Sequence, residues 1–567
     1  MTPGLAGYIA GSNDSQTWDN TVSAVVEALA AEFEVQPEHG APRAVRRTIW
    51  LDTFDWRLYK AGLTLEYVPG RGSELRLHDA GNVTTQLVTG WQASRPHLLA
   101  AVADGQVGAR IGGLVAPRAL LPVAAISTAT ESYRLLNEDR KTVARLLVER
   151  SSLPGQGPHS PLPLPPRLTV TEVRGYQGQA RRAERLIAAV DGVTAADTGP
   201  ADTGPADTGP ATTGPFADAL LAAGRRPGDY SNKVDADITA ETPATAAAAT
   251  ILLRLLDTIE ANVDGTLRDI DTEFLHDLRV SVRRTRSALK LFGDALGLDP
   301  ERLAFFSAEF KWVGDLTTPT RDLDVHLLGF EDTARGLAAA KPDDLEPFRT
   351  YLEQRRRKEF RTLTRGLRSA RFTGLMSDWR ERLTSILQDS TASRGTRSRS
   401  GKFLKGAGGT AGLLAAERTR VAFAKVARRG AAITPDTPAE ALHDLRKRSK
   451  ELRYALEFFA PLHDPAGYAK VLGDLKRLQD CLGEFQDTEV QIGEIRTLAA
   501  AMLAAREAPA VTLLAMGEVT AGLAARQRAA RADFERRFAA FADVAGQRRM
   551  SALLRGRYRI NADLCHI

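Results

Sequence analysis

Cysteine and long apolar runs are the two features that this sequence lacks most clearly. Only Cys481 and Cys565 occur among 567 residues, too few for a disulfide framework or for a thiolate cluster around a structural metal. No stretch approaches the roughly 20 apolar residues that a membrane helix needs, and residues 1–20 show no basic leader followed by an apolar core. The sequence therefore predicts a cytoplasmic protein with reduced thiols and no membrane contact.

Positive charge is present in excess but is unevenly distributed. The formal net charge is +6, yet residues 351–450 alone hold 24 Lys and Arg against 9 Asp and Glu. A polyanion would be attracted to this part of the chain first. The excess indicates a bias and does not identify a partner.

A change of pattern divides the chain. Residues 196–215 read ADTGP three times and then ATTGP, and because Gly-Pro interrupts helices and strands, we predict a linker over 193–244. Before it, over 20–192, short strand-like segments alternate with turns, and two helical patterns lie near 21–31 and 179–190. After it, over 245–560, apolar residues recur at spacings of three and four. We therefore expect an α+β multidomain protein, with an antiparallel β domain preceding an all-α domain. The predicted strands are 44–52, 63–68, 74–78, 83–88, 131–137, 143–149 and 168–173.

An internal repeat is the most informative feature of the helical half. HDLRVSVRRTRSALKLF at 276–292 aligns without gaps with HDLRKRSKELRYALEFF at 443–459. On a helix, each copy places one apolar stripe and, about 100° further around the axis, one cationic stripe. The apolar stripes are Leu275, Leu278, Val282, Leu289 and Phe292, and Leu442, Leu445, Leu452, Leu456 and Phe459. The cationic stripes are His276, Arg279, Arg283, Arg286 and Lys290, and His443, Arg446, Lys450 and Arg453.

Cations about 5 Å apart along one helix face repel one another, so stability gives no reason to keep carboxylates out of the stripe. A chain of phosphates would supply the opposite charge, through Arg forks and Lys point charges. The alternative is that both stripes are ordinary solvated faces, which the repetition at one register disfavours.

A second shared element follows each copy. Arg321-Asp322-Leu323-Asp324-Val325 comes after the first, and Asp487-Thr488-Glu489-Val490 comes after the second. We expect Asp322 and Asp487 at helix starts, where each caps its helix or orients a neighbouring arginine. Arg321 is expected to face the anion.

These motifs resemble the CHAD domain, the conserved histidine α-helical domain, over about residues 245–560. The resemblance implies two pseudo-symmetric four-helix bundles, about 245–390 and 411–560, around a basic cavity that binds inorganic polyphosphate. In the second copy, Glu451 replaces Arg284, which predicts a weaker contact there. The polyphosphate-binding residues expected from the motif and its neighbours are His276, Arg279, Arg283, Arg284, Arg286, Lys290, Arg321, His443, Arg446, Lys447, Lys450 and Arg453.

The segment WLDTFDWRL at 50–58, with KAGLTL at 60–65, is similar to part of the CYTH domain, a triphosphate tunnel often fused ahead of CHAD. This implies a barrel or tunnel in which acidic residues hold a divalent metal, with Glu32 and Glu34 as candidate ligands. Several expected cations are replaced, since Gln36 and His78 stand where Lys is usual and Glu66 where Arg is usual. Because such a site would stabilise a highly charged transition state poorly, we expect a degenerate CYTH-like domain without phosphatase activity.

Three functions remain open on these observations. The first is polyphosphate binding, which breaks no bond and needs no cofactor, and which would allow association with polyphosphate granules. The second is a metal-dependent inorganic triphosphatase, with Mg²⁺ in the CYTH-like domain. The third is nucleic-acid binding, which the scarcity of aromatic side chains near the cations disfavours, Tyr454 being the exception.

Overall fold

The computed structural model describes residues 6–9, 15–38, 45–70, 72–79, 82–89, 91, 105–155, 161–195, 214–392 and 409–555. The chain divides into two units, Met1–Ser231 and Asn232–Ile567. The first unit contains the strands and the second is helical. No helix within the described ranges is long and apolar enough to cross a membrane.

The first unit is built on an 11-stranded sheet in which the described strands pair antiparallel. Its order is β11-β1-β10-β8-β7-β3-β4-β5-β6, with β2 paired to β7 and β9 to β8. The strands are β1 Ala6–Ile9, β2 Glu34–Pro37, β3 Val45–Asp52, β4 Leu63–Val68, β5 Glu74–Asp79, β6 Asn82–Leu87, β7 Leu121–Leu136, β8 Thr142–Leu153, β9 Leu162–Pro163, β10 Arg167–Glu172 and β11 Val193–Ala195. Within the described strands β11 and β6 do not pair, so the expected closed barrel is replaced by an open sheet.

The first four helices of this unit cover one face of the sheet because the strands alternate. Leu63, Leu65 and Tyr67 of β4 are buried, and the intervening Glu66 is cross-strand neighbour to Arg76 of β5 on the other, polar face. The helices of this unit are α1 Ser15–Ala30, α2 Arg57–Lys60, α3 Gln106–Val115, α4 Gln177–Ala188 and α5 Pro215–Ala222. One apolar cluster joins α1 and α4 to β7, β8 and β10, and another joins α2 and α3 to β3, β4 and β5.

The short helix α5 belongs to the first unit, although it falls within the predicted linker. Ala219 and Leu220 are fully buried against a cluster that includes Trp50 and Ile126. Arg167 of β10 donates to Asp218 at 2.7 Å. The pentapeptide repeats 196–213 lie outside the described residues, but the elements on either side of them both pack in this unit. The boundary between the units therefore comes after α5, at residues 231 and 232.

This placement makes α5 part of the fold of the first unit. Leu220→Ala should lower the free energy of unfolding of the first unit by about 2–4 kcal/mol, because a fully buried leucine is truncated. Deleting residues 201–210 should change it by less than about 1 kcal/mol, because loop-closure entropy depends weakly on loop length. Denaturant unfolding of the full chain, followed by tryptophan fluorescence, measures both. The opposite ranking of the two variants would mean that α5 is not part of this fold.

The second unit is helical. Its elements are α6 Ala244–Leu267, α7 Thr272–Phe292, α8 Pro300–Leu328, α9 Phe330–Arg335, α10 Glu346–Leu367, α11 Ala370–Ala392, α12 Ala411–Ala431, α13 Ala439–Phe458, α14 Pro465–Ala504, α15 Ala510–Ala542 and α16 Val544–Arg555. In the first half α6 packs against α7 and α11, and α8 packs against α7 and α10. In the second half α13 packs against α12 and α14, and α14 packs against α15.

The two apolar stripes predicted from the repeat are buried, as expected. Every member, from Leu275 to Phe292 on α7 and from Leu442 to Phe459 at the α13 end, is at most 5% exposed. Phe292 contacts Phe458 and Phe459, with ring centroids 5.6 Å apart in both pairs, and so joins the halves at one end. A second apolar cluster, in which Leu323 and Phe348 pack with Ile495 and Met516, joins them elsewhere.

Candidate functional site

The two cationic stripes converge where α7 packs against α13. Arg283 of α7 donates from Nε to the hydroxyl of Tyr454 on α13, at 2.7 Å. Arg284, one residue further on, donates to Glu457 of α13 at 3.1 Å. The repeated helices therefore face each other, so the cations of both copies surround one region.

Lys450 lies at the centre of this region. Its pKa is lowered to about 8, first because burial disfavours the ammonium and then because Arg283, Arg446 and Arg279 repel it. Asp487 opposes the shift but does not cancel it. Lys450 makes no hydrogen bond or ion pair with another residue in the part of the chain that the structure describes. A half-buried ammonium is thus held among cations of both helices.

Arg279 extends the same group towards α8. It donates to the carbonyl oxygen of Gly314 at 3.3 Å and also to the hydroxyl of Thr318. Asp322 is 4.0 Å away. Burial lowers the pKa of Arg279, and repulsion from Arg283, Arg321 and Arg286 lowers it further, whereas Asp322 raises it. We define the cationic cluster as the six residues linked by these interactions. They are Arg279, Arg283, Arg286, Arg321, Arg446 and Lys450.

Arg283 and Arg286 are the exposed members of the cluster. Among the described residues neither has a carboxylate partner. Gly314 of α8 gives Arg286 its space, because a Cβ atom there would lie 3.0 Å from Nη1 of the arginine. Arg321, by contrast, is 12% exposed, donates to the carbonyl oxygen of Thr272 at 3.2 Å and lies 3.7 Å from Glu273.

The α13 stripe is neutralised more fully than the α7 stripe. His443 Nε2 lies 2.6 Å from a carboxylate oxygen of Glu489, and Arg446 donates to Asp487 at 2.8 Å. Arg453 donates to Glu457 at 2.6 Å. Lys450 is therefore the stripe's one member without a carboxylate partner among the described residues, and the α7 side carries most of the unpaired charge.

Besides His443 and Arg453, four expected binding residues lie outside the cationic cluster. Arg284 is 13% exposed and shared between Glu457 and the carbonyl oxygen of Asn232, so it joins helices. Lys290 pairs with Glu451, the residue that replaces Arg284 in the second copy. Lys447 is exposed on α13, and His276 is half-buried on α7.

Asp322 and Asp487 were expected at helix starts, and this was wrong. Asp322 lies inside α8 and Asp487 inside α14, because both helices continue without a break through the shared element. Neither residue caps a helix there. The second expected role, orienting a neighbouring arginine, matches the 2.8 Å contact of Asp487 with Arg446 and the longer one of Asp322 with Arg279.

Sequence reasoning found Asp487 but missed two other carboxylates that pair with the second stripe, Glu457 and Glu489. Glu457 is four residues after Arg453, a spacing that favours an ion pair on a helix and that could have been noticed. Glu489 comes from α14 and meets His443 only through packing of α13 on α14. Of these two ion pairs, local spacing could therefore have predicted the one between Arg453 and Glu457.

With the helices and their cations placed, comparison with known families is decisive for this part of the chain. Residues 250–496 match the CHAD domain family model. These residues form a CHAD domain. The match includes both copies of the repeat, and thus all six members of the cationic cluster. No curated protein sequence matches the chain significantly.

The solved structures that are similar to the chain include the following two. The CHAD domain from the plant Ricinus communis is 24% identical, with a TM-score of 0.44, over 57% of this chain and 96% of the other. PptA from Streptomyces chartreusis is 19% identical, with a TM-score of 0.38, over 52% of this chain and 99% of the other.

The candidate metal ligands of the first unit are engaged with arginines. Glu32 lies in the turn before β2 and pairs with Arg182 of α4, which lowers the pKa of Glu32. Glu34 begins β2 and lies 3.3 Å from Arg140. Within the described ranges no group of three or more His, Cys, Asp or Glu could hold a metal. The two carboxylates therefore take part in separate ion pairs.

The charged side chain of Lys450 should destabilise the CHAD domain. Because the native ammonium is disfavoured, Lys450→Met should raise the free energy of unfolding at pH 7 by on the order of 1 kcal/mol, less than the full pKa shift because the side chain is partly exposed. The gain should shrink as pH rises from about 8 towards 10.5, the ordinary pKa of lysine, because native Lys450 has then lost a proton that the unfolded chain still binds. Denaturant unfolding at several pH values tests this. A destabilised Lys450→Met at neutral pH would show that the lysine is not held against repulsion.

Proposed function

We propose that the CHAD domain binds inorganic polyphosphate, with the phosphate chain lying along the cationic cluster. The observation that carries this proposal is the half-buried Lys450, held among Arg279, Arg283 and Arg446 without an ion-pair partner among the described residues. A bound anion would relieve the repulsion and raise the pKa of the lysine again. The same contact would allow the protein to bind to polyphosphate granules in the cytoplasm.

A linear phosphate polymer fits this cluster for reasons of charge and shape. The cations come from three helices, α7, α8 and α13, and most project at helical spacings of three or four residues, about 5 Å apart. A polymer carrying negative charge at every unit can meet several of them at once, whereas a single phosphate cannot. Arginine provides bidentate hydrogen bonds to phosphoryl oxygens, and lysine adds a compact charge.

Nucleic acid is less well supported as the partner. A binder of single strands stacks bases on exposed aromatic rings. Tyr454, the aromatic residue beside these cations in sequence, is 6% exposed and its hydroxyl accepts from Arg283. It is therefore a structural contact between α7 and α13, and a base could not reach its ring without disrupting that packing.

The triphosphatase alternative gains no support from the first unit. On the polar face of the sheet, Glu66 lies 3.3 Å from His78 and Arg76 lies 2.7 Å from Glu74. Part of the same face is occupied by α5, with Phe216 against Trp50 at 5.4 Å between ring centroids. The charged side chains on this face are already paired with each other, and an apolar helix covers part of it. The face is therefore not arranged to bind a triphosphate and its metal.

Removing four cations of the cluster should abolish tight binding. We expect Arg279→Ala, Arg283→Ala, Arg446→Ala and Lys450→Ala together to weaken binding of a long-chain polyphosphate by at least ~100-fold at moderate salt. Titration calorimetry or fluorescence anisotropy would measure the dissociation constant. The matched control removes four exposed cations that each pair with an acid three or four residues away on the same helix, and it should change the affinity by less than about threefold. These are Arg254, Arg268, Lys311 and Arg335.

Equal losses in both variants would mean that only net charge matters, and the cluster would not be the site. Duplex DNA should compete poorly with the polyphosphate. If it displaces the polymer at the same charge concentration, the proposed partner is wrong.

The carboxylates of the second stripe should act as internal competitors. Asp487→Asn with Glu489→Gln frees Arg446 and His443 without changing the size of the side chains, so we expect polyphosphate binding about 3- to 10-fold tighter. Glu353→Gln with Glu331→Gln, in the ion pairs of Arg349, removes the same charge elsewhere and should leave the affinity nearly unchanged. Weaker binding in the first variant would show that these carboxylates orient the cations for the phosphate.

A further inference from the structure

Helix α10 carries a second row of cations that the cationic cluster does not include. Lys358, Arg361, Arg365 and Arg368 follow one another at spacings of three, four and three residues, and all are exposed. At about 100° per residue they fall within an arc of about 80°, and at 1.5 Å per residue they span about 15 Å. We call these four residues the α10 stripe. Leu352, Leu363 and Leu367, which are buried, occupy the opposite side of the helix.

Within the described residues, the α10 stripe has no acidic partner, unlike several other exposed cations of this unit. Among the described residues none of its four members makes a hydrogen bond or an ion pair. Elsewhere, Lys311, Arg335 and Arg536 each pair with an aspartate three or four residues away. The two nearest acids on α10 serve other positions, since Glu353 pairs with Arg349 and Arg357 and Glu359 lies on the core side by helical angle.

Two structural roles do not account for the stripe. Cations near a helix C-terminus stabilise the helix dipole, but that effect is limited to the last turn. Arg365 and Arg368 lie there, whereas Lys358 and Arg361 precede the end of α10 at Leu367 by more than a turn. Anchoring of α10 is performed by Arg356, on the inner side, which pairs with Asp269 at 2.6 Å and with Asp324 at 2.5 Å.

We infer that the α10 stripe is a second contact for linear polyphosphate, engaged by chains too long for the cationic cluster alone. This rests on the proposed function and adds a chain-length preference to it. Four cations at spacings of three or four residues on one helix face, unpaired among the described residues, match a linear polymer of negative charge. No aromatic side chain stands among the four to stack a base, and no exposed apolar residue accompanies them as membrane insertion would require.

The test compares chain lengths in the full-length protein. In one variant Lys358, Arg361, Arg365 and Arg368 are changed to alanine, and titrations use a short linear polyphosphate, a long one and duplex DNA. We expect an unchanged dissociation constant for the short chain and about 10-fold weaker binding of the long chain. The slope of log affinity against log salt for the long chain should become shallower by about 3, because four phosphate contacts no longer release counterions. The control is the variant lacking the paired cations Arg254, Arg268, Lys311 and Arg335.

The possible results distinguish failure of the inference about the α10 stripe from failure of the proposed function. An α10 variant with unaltered long-chain affinity and salt slope would make the stripe a solvated face and overturn the inference, leaving the cationic cluster untouched. Loss of DNA binding without loss of long-chain binding would assign the stripe to nucleic acid and overturn it also. Failure of the proposed function itself would appear differently, as wild-type protein that binds neither chain length.

Discussion

Repulsion between cations on α7 and α13 is the constraint on which the helical half of this protein depends. Lys450 and Arg283 belong to different copies of the repeat, and after burial of the ammonium, repulsion from Arg283 is the next cause of the lowered pKa of the lysine. Contacts on the same two helices oppose the repulsion. Phe292 packs with Phe458 and Phe459, Arg283 donates to Tyr454, and Arg284 pairs with Glu457. Apolar burial and two specific hydrogen-bonded pairs thus hold together surfaces that electrostatics alone would separate.

The two copies of the repeat differ in how far their cations are paired with carboxylates. On α7 the outward cations Arg283 and Arg286 keep their charge available. On α13 carboxylates from α14 and from α13 itself already engage three members of the stripe, His443, Arg446 and Arg453. The replacement of Arg284 by Glu451 has a consequence beyond its own position, because Glu451 also takes up Lys290 of the first copy. A polymer would meet free charge on α7 and would have to exchange partners on α13.

The helical half could be predicted in detail because its signals are local. The register of the repeat fixes which side of α7 and α13 is apolar, and every residue of both predicted stripes is buried. Ion-pair partners from other helices, such as Glu489, depend on the packing of α13 against α14 and could not be read from spacing. In the first unit, residues 63–68 were predicted as the strand that is found, whereas β7 begins ten residues before the predicted 131. The small and polar residues of its first half, Ala124 to Thr130, lack the apolar alternation on which the prediction relied.

Helix α5 shows how a short segment can change the interpretation of a whole domain. Eight residues after a low-complexity tract offer little periodicity, so the segment was assigned to a linker. Yet Phe216, Ala219 and Leu220 pack against an apolar area around Trp50. Asp218 accepts a hydrogen bond from Arg167. This area lies on the face of the sheet that a triphosphate tunnel would have to leave open and charged. Because burial of the apolar Trp50 side chain against α5 is more favourable than its exposure to water, the segment that resembles a tunnel strand serves here as a docking surface for α5.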